Sequence, residues 1–303
     1  MDQAQNLRNI VKKHIESENR QGNARVITVT SGKGGVGKTS VSLNLAIQFK
    51  KMGKEVIIFD ADFGLANIEV MIGAIPKYNL SDMIYRGKSL KDILMTGPMG
   101  IKYISGGSGV NQFENLSKDQ MIYLLHEFHQ LETMADIIII DTGAGISHTV
   151  MEFVASSREV LLVTTPEPTS ITDAYSLLKA LNRHEAFDRE NALVKLVVNK
   201  ADGYEDGKNL YDKLNTVVSR FLQMKLEFTG VIPEDKSMVK SIIMQSPASI
   251  SFPESKAAYS FLQIAEILTD KRSEYTDYKS GLSYIFAKYF RMRRGNRKCY
   301  PEQ

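Results

Sequence analysis

Short apolar runs that end in polar residues recur along the chain and alternate with stretches of helical periodicity. Four consecutive isoleucines within 136–141 are typical of a strand buried on both faces of a parallel sheet. The alternation predicts an α/β fold with a doubly wound, mostly parallel sheet and helices on both faces. The predicted strands are 25–30, 55–60, 100–104, 136–141, 159–165 and 193–199, and the clearest predicted helices are 40–52, 117–134 and 256–269. Short peripheral helices are expected within 68–135, with Ser81 or Ser89 as caps.

The first residues form a separate amphipathic segment. Residues 2–11 predict a short helix with Asp2 as a plausible N-cap, and Leu7, Ile10 and Val11 make an apolar stripe. Such a helix is only marginally stable alone, so it requires a surface on which to order. The spacing by itself leaves open whether that surface is a partner or the chain's own domain, or whether the segment is an unfolded tail.

The chain ends in a second amphipathic segment, which follows a polar linker at 270–280. Apolar and basic residues alternate over 281–294 with helical spacing, which is typical of a helix that lies in an anionic membrane surface. The alternative is an ordinary helix folded back on the domain. The apolar positions are Leu282, Ile285, Phe286, Tyr289 and Phe290, and the basic positions are Lys288, Arg291, Arg293 and Arg294.

Composition narrows the class of protein. A net charge of +3 over 303 residues is too small to argue for nucleic-acid binding by itself. No apolar run approaches the roughly 20 residues that span a bilayer, and the polar start argues against a signal peptide. The single cysteine, Cys299, excludes an intrachain disulfide and an all-cysteine metal site within one chain. We therefore expect a cytoplasmic protein.

The stretch GKGGVGKT at 32–39 matches the loop that wraps nucleotide phosphates. It stands between a predicted strand and a predicted helix, which is the context that the motif requires. Its backbone N–H groups and the helix N-terminus favour phosphate oxygens. Lys38 is expected at the β- and γ-phosphates, and the Thr39 hydroxyl at Mg²⁺. The predicted nucleotide-binding residues here are Gly32, Lys33, Gly34, Gly35, Val36, Gly37, Lys38, Thr39 and Ser40.

Acidic residues end two predicted strands, where ligands bind in open α/β sheets. Asp60 and Asp62 follow one strand, and Asp141 ends the isoleucine strand. Asp141 fits the residue that holds Mg²⁺ in phosphate-loop enzymes, and 142–145 fits a segment whose backbone senses the γ-phosphate. The strand at 193–199 ends in Asn199 and Lys200, similar to the guanine-reading element of GTPases, which leaves ATP and GTP both open.

The phosphate loop resembles the deviant Walker A motif of MinD, ParA and their relatives, because Lys33 adds a second lysine after the first glycine. The resemblance implies a phosphate-loop NTPase of the SIMIBI class that binds Mg²⁺ and ATP and dimerises through ATP. In that family this lysine reaches the partner's nucleotide. Asp62 would position the attacking water, and Asp60 would support the Mg²⁺ shell. Adenine would be read by Asn199 with Lys200 and covered by Pro233, Glu234 and Asp235.

Both ends of the chain resemble the flagellar FlhG (FleN, YlxH) branch of that family. Asp2, Gln3, Leu7 and Arg8 match its DQAxxLR element, which implies stimulation of the SRP-type GTPase FlhF. Glutamine is suited to orienting a water in GTP hydrolysis. The branch controls flagellar number and placement, which implies reversible attachment to the inner face of the cell membrane. Flagellar C-ring proteins or a flagellar transcription regulator are further possible partners.

The expected organisation is a partner-binding segment at 1–24, an ATPase domain at 25–270 and a membrane-targeting segment at 271–303. The alternative is a ParA-like partitioning ATPase that binds nucleic acid, or a soluble scaffold. A partitioning ATPase needs a broad basic surface, whereas the basic excess here is concentrated at the C-terminus. Iron–sulfur carriers need cysteine ligands, and a small-molecule ligase does not account for Lys33 or for either end of the chain. A tyrosine autokinase carries a terminal tyrosine cluster, whereas two of the five tyrosines near this C-terminus belong to the amphipathic segment and the others are scattered. No sequence-specific nucleic-acid binding is expected.

Overall fold

The computed structural model describes residues 24–63, 67–107, 116–270 and 281–296, with side chains described as far as Phe290. The DQAxxLR element lies outside the described residues. So do the side chains of Arg291, Arg293 and Arg294. None of the helices in the described ranges is both long enough and apolar enough to span a bilayer.

An eight-stranded sheet forms the centre of the described part of the chain, in the order β3-β4-β2-β5-β1-β6-β7-β8. Every neighbouring pair is parallel except β3 with β4, which confirms the predicted mostly parallel sheet. The six predicted strands are present, and the two edge strands β3 and β8 are additional. The strands are β1 Arg25–Thr30, β2 Val56–Ala61, β3 Met95–Thr96, β4 Lys102–Ser105, β5 Ile137–Thr142, β6 Glu159–Thr164, β7 Leu193–Ala201 and β8 Leu226–Pro233.

Helices cover both faces of this sheet, as a doubly wound fold requires. In chain order they are α1 Lys38–Lys51, α2 Asn67–Ile72, α3 Leu80–Arg86, α4 Leu90–Ile93, α5 Lys118–Glu132, α6 His148–Ser156, α7 Pro168–Arg183, α8 Tyr204–Leu222, α9 Lys236–Ile243, α10 Ala248–Ser251, α11 Lys256–Asp270 and α12 Leu282–Asn296. Helices α1 and α11 pack on one face of the sheet. Helices α5, α6 and α12 contribute to the core on the opposite face.

Local capping explains where the peripheral helices begin. Ser89 caps α4 and accepts the N–H of Asp92, as the sequence predicts. Ser81 is not a cap, because Asn79 occupies that position and its side chain accepts from Ser81 and Asp82. An asparagine side chain satisfies the free N–H groups of a first turn as well as serine does.

The C-terminal helix α12 packs into the domain. Its five apolar side chains from Leu282 to Phe290 are buried in the same core as strands β2 and β5. The Phe286 ring lies 5.5 Å from Phe59, 4.2 Å from Phe128 and 5.1 Å from Phe153, between ring centroids. The apolar face that the sequence pattern assigns to a membrane therefore faces protein in this conformation.

A buried carboxylate caps the start of that helix. Glu132, at the end of α5, accepts a hydrogen bond from the Ser283 N–H at 2.6 Å. A Cβ added to Gly281 would lie 2.5 Å from the same carboxylate oxygen, so glycine permits the close approach. A negative charge at a helix N-terminus is favourable, and Glu132 thereby fixes where α12 begins to pack.

Candidate functional site

The phosphate loop connects the end of β1 to the start of α1. Gly35 and Gly37 have φ of 78° and 90°, the left-handed region that glycine adopts without strain. A Cβ on Gly37 would lie 2.4 Å from the Asn199 amide nitrogen. A Cβ on Gly32 would lie 2.3 Å from the backbone of Asp173 in α7. The glycines therefore let the loop close against both β7 and α7.

Asp141 stands at the centre of the site and is fully buried. Its carboxylate accepts hydrogen bonds from the Thr39 hydroxyl at 2.7 Å and the Ser42 hydroxyl at 2.9 Å. The Lys38 ammonium lies 3.2 Å from one of its oxygens. The structure thus brings together three residues that the sequence predicts, and it adds Ser42, which lies one turn into α1 and belongs to no motif.

Asp60 lies directly opposite Asp141, because β2 and β5 pair in register at these two residues. Asp60 is 1% exposed, and one of its oxygens accepts the Asp62 N–H at 3.0 Å. Its other oxygen has no hydrogen-bond partner among the described residues. Burial foremost, and then the charge of Asp141, raise the pKa of the Asp60 carboxyl well above its usual range.

These oxygens fit a divalent cation. Hard cations such as Mg²⁺ take carboxylate and hydroxyl oxygens, and a 2+ charge removes the repulsion between two adjacent buried carboxylates. Asp60, Asp141 and the Thr39 hydroxyl provide that donor set, and the unpartnered Asp60 oxygen is an atom to which the described residues supply no hydrogen-bond donor.

Asp62 lies between the end of β2 and the segment that follows β5. Its carboxylate accepts from the Asn67 amide at 3.1 Å. A Cβ on Gly143 would lie 3.6 Å from its other oxygen. The N–H of Gly145 donates to the Ser31 carbonyl at 2.8 Å, which ties that segment to the phosphate loop. Asp62 therefore adjoins the Asp60 and Asp141 pair through its backbone N–H, while its carboxylate lies beside Asn67 and Gly143.

The predicted base-reading residues contact the phosphate loop directly. The Asn199 amide donates to the Val36 carbonyl at 2.7 Å, and the Lys200 ammonium donates to the Gly35 carbonyl at 2.8 Å. Lys200 has a φ of 56°, which is uncommon for a residue with a side chain. The end of β7 is thereby fixed against the loop that would hold the phosphates.

The segment after β8 is held in place by Asp235. One oxygen of its carboxylate accepts the Ser237 N–H at 2.8 Å, and the other accepts the Ala257 N–H at 3.1 Å. Partial burial works to raise the pKa of Asp235, but these hydrogen bonds outweigh it and the pKa is lowered. Asp235 therefore joins α9 to α11, and its carboxylate is engaged by the backbone. Pro233 and Glu234 stand immediately before it at the end of β8, where the Glu234 N–H donates to the Ala201 carbonyl.

Lys33 extends to the outside of the loop. Its ammonium lies 2.8 Å from the Glu167 carboxylate and 2.7 Å from the Thr169 hydroxyl, both at the N-terminus of α7. The contact itself is not encoded by a local sequence pattern, because it depends on how α7 packs beside the phosphate loop.

Comparison with known proteins agrees with this geometry. Residues 27–248 match the family described as the CobQ/CobB/MinD/ParA nucleotide binding domain. The chain is 42% identical over 242 residues to the antiactivator FleN of Pseudomonas aeruginosa, covering 80% of this chain and 85% of FleN. It is 33% identical to the flagellum site-determining protein YlxH of Helicobacter pylori, covering 88% of each chain.

Solved structures give the same assignment. The septum site-determining protein MinD from Pyrococcus horikoshii, complexed with Mg-ADP, superposes with a TM-score of 0.64 at 26% identity. The match covers 82% of this chain and 96% of MinD. The doubly wound sheet, the double-lysine phosphate loop and these similarities lead to one assignment. The chain belongs to the MinD/ParA family of phosphate-loop ATPases, in the flagellar branch represented by FleN and YlxH.

Proposed function

We propose that this ATPase forms an ATP-dependent homodimer, attaches reversibly to an anionic membrane and regulates the number and placement of flagella. The observation that carries the proposal is a phosphate-loop site with Lys33 partly exposed on its outer side, in a chain similar to an antiactivator and to a flagellum site-determining protein. Hydrolysis of ATP to ADP and phosphate would reset the cycle.

The chemistry depends on positioning and charge. The loop N–H groups and Lys38 would bind the phosphates, so Lys38 would exchange its contact with Asp141 for phosphate oxygens. Mg²⁺ would be held by Thr39, Asp141 and Asp60, and when bound it neutralises charge on the transferring phosphate. Asp62 would orient the attacking water. Asn199 and Lys200 would stand on the base side, beside the segment that Asp235 holds.

Dimerisation would follow from the position of Lys33. Its ammonium lies on the outer side of the loop, whereas Lys38 points into the site. A second copy that approached this face would bring its own nucleotide within reach of Lys33. ATP would then be shared between two chains and would hold them together.

Membrane attachment requires α12 to exchange one apolar surface for another. Burial of each large apolar side chain contributes roughly 1.5–3 kcal/mol in either location. The apolar contribution is therefore similar in the membrane and in the groove of the domain that Phe59, Phe128 and Phe153 line around Phe286. Basic residues near an anionic leaflet add about 1 kcal/mol each. Two helices in one ATP-bound dimer add avidity without a new contact. ATP would therefore favour the membrane, and hydrolysis would favour return to the groove.

Sedimentation with anionic liposomes in ATP, ADP or no nucleotide tests this switch. We expect binding only with ATP, and loss of that binding when Arg291, Arg293 and Arg294 are replaced by Glu. This triple variant keeps the apolar face and therefore keeps α12 able to dock, unlike deletion of residues 281–303. Liposome binding that is the same in ATP, in ADP and without nucleotide, and that the triple variant retains, would contradict the proposal.

We propose in addition that the DQAxxLR element stimulates an FlhF-type GTPase through Gln3. The test is the rate of GTP hydrolysis by that GTPase with the full chain, with Gln3→Ala and with Gln5→Ala. Gln5 lies at one of the two variable positions of the element, so it is a matched control. Loss of stimulation by Gln3→Ala alone is the expected result, and equal stimulation by all three proteins would contradict the role of Gln3.

A further inference from the structure

Lys33 is bound by its own chain in this structure. The ammonium contacts the Glu167 carboxylate at 2.8 Å and the Thr169 hydroxyl at 2.7 Å. The side chains are 35% exposed for Lys33 and 59% exposed for Glu167, so the pair stands at the surface. The hydrogen bond and the charge of Lys33 lower the pKa of the Glu167 carboxyl, so this carboxyl is charged at neutral pH.

The Glu167 carboxylate is available for this contact because it makes no capping hydrogen bond at the N-terminus of α7. Glu167 precedes α7, but its side chain caps no N–H, and Pro168 follows at the first helical position. The Ser170 hydroxyl instead accepts the Thr165 N–H at 3.0 Å and joins the helix to the end of β6. Since Gly32 also packs on the α7 backbone, Glu167 is held at a fixed place beside the loop.

We propose that Glu167 and Thr169 are positioning residues that hold Lys33 in the single chain and thereby set how much ATP is needed for dimerisation. This inference rests on the ATP-dependent dimer proposed above. In that dimer, Lys33 would have to contact phosphate oxygens of the second copy's nucleotide. Either the ammonium leaves Glu167, which breaks an ion pair, or the carboxylate is carried toward a polyphosphate, which repels it. Both routes make Glu167 oppose the dimer.

The size of the effect follows from the exposure of the pair. Exposed ion pairs change an equilibrium constant by about 2- to 5-fold. Each dimer has two such pairs, so removal of the carboxylate is expected to strengthen dimerisation by about 4- to 25-fold. Thr169→Val is expected to shift the constant in the same direction by less, because a neutral hydroxyl is a weaker acceptor for an ammonium than a carboxylate is.

The test is sedimentation velocity of the full chain across a titration with the non-hydrolysable analogue AMPPNP. We expect Glu167→Gln to dimerise at a lower analogue concentration than wild type, with an unchanged thermal unfolding temperature. Glu190→Gln is the matched control and should leave the midpoint unchanged. It also removes an exposed carboxylate, but Glu190 precedes β7 and therefore lies at the amino ends of the strands, away from the phosphate loop at their carboxyl ends.

The Lys33→Ala background shows whether Glu167 acts by holding Lys33 or by the general repulsion between its negative charge and the second copy. Because the proposed dimer needs Lys33, Lys33→Ala should stay a single chain, and if Glu167 acts through Lys33, the Lys33→Ala, Glu167→Gln double variant should stay a single chain as well. A midpoint that Glu167→Gln leaves unchanged or raises would overturn the inference, and so would a double variant that dimerises with the analogue. If the wild-type chain dimerises normally, these results overturn only the inference. A wild-type chain that stays monomeric at saturating analogue would contradict the proposed dimer and the role of Glu167 together.

Discussion

Two carboxylates that share one site behave differently because their hydrogen-bond partners differ. Asp141 is fully buried but accepts from Thr39 and Ser42 and lies beside Lys38. Asp60 is equally buried, yet one of its oxygens has no partner among the described residues. The described residues therefore compensate the charge of Asp141, and we propose that a bound cation compensates that of Asp60.

Asp60→Asn is expected to raise the thermal unfolding temperature of the nucleotide-free protein while it weakens Mg²⁺-dependent hydrolysis. The amide keeps an acceptor for the Asp62 N–H but removes a buried charge next to Asp141. Loss of a residue that supports a metal shell typically reduces metal affinity by about 10- to 100-fold. Thermal unfolding in EDTA and ATPase rates against Mg²⁺ concentration measure the two effects. Asp141→Asn is the contrast, because it removes an acceptor of several bonds and should lower stability.

The stability difference between Asp60→Asn and wild type is also expected to depend on pH. Because the pKa of Asp60 is raised on folding, the folded state binds more protons than the unfolded state between the unfolded and folded pKa values. The unfolding free energy of wild type therefore falls as pH rises through that interval. The advantage of Asp60→Asn should grow over the same interval, and an advantage that shrinks with rising pH would count against this assignment.

At the residue scale, the sequence predicts the groups that belong to contiguous motifs. Lys38, Thr39 and Asp141 are found from the loop pattern and a strand end, and the structure brings them together. Ser42 and Glu167 are not found in this way. Their roles depend on a helix turn and on a packing contact between segments 134 residues apart, which no local pattern encodes.

Helix α12 shows what amphipathicity determines at the scale of one element. The spacing predicts the helix and its apolar face correctly, and the structure buries all five apolar side chains. A helix that lies in a membrane surface and a helix that packs into an apolar groove have the same spacing of apolar residues, so the pattern alone does not distinguish the two locations. The groove is built from Phe59, Phe128 and Phe153, which come from three separate elements. Only the folded arrangement shows that they form one surface.

Phe286→Ala is expected to lower the unfolding free energy of the nucleotide-free protein by about 3–5 kcal/mol, the usual effect of truncating a buried phenylalanine. The reason is that Phe286 fills the space between three aromatic rings when α12 is docked. Chemical denaturation measures the change. Tyr284→Ala, on the same helix but only partly buried beside a polar cavity of about 130 Å³, should have a smaller effect. Equal stability of Phe286→Ala and wild type would show that α12 is not docked in solution.

On the scale of the whole molecule, the sheet carries the candidate nucleotide site at the carboxyl ends of its strands and the groove for α12 on one of its faces. The nucleotide residues lie at the carboxyl ends of β1, β2, β5 and β7. The α12 groove lies on one face, opposite to the face covered by α1 and α11. The strands β2 and β5 join these regions, since they carry Asp60 and Asp141 at their ends and side chains of the groove along their length. Closure of the proposed dimer around ATP would therefore act on strands that also support α12.

The central claim is that ATP, and not ADP, joins two copies of this chain through Lys33. Sedimentation velocity of the Asp62→Ala protein tests it most directly, because loss of the water-orienting role proposed for Asp62 would stop hydrolysis and let the ATP-bound form accumulate. We expect twice the mass of the chain with ATP and Mg²⁺, and the mass of a single chain with ADP. The Lys33→Ala, Asp62→Ala double variant should stay a single chain in both. Equal masses of Asp62→Ala in ATP and ADP, or a dimer that survives loss of Lys33, would contradict the account.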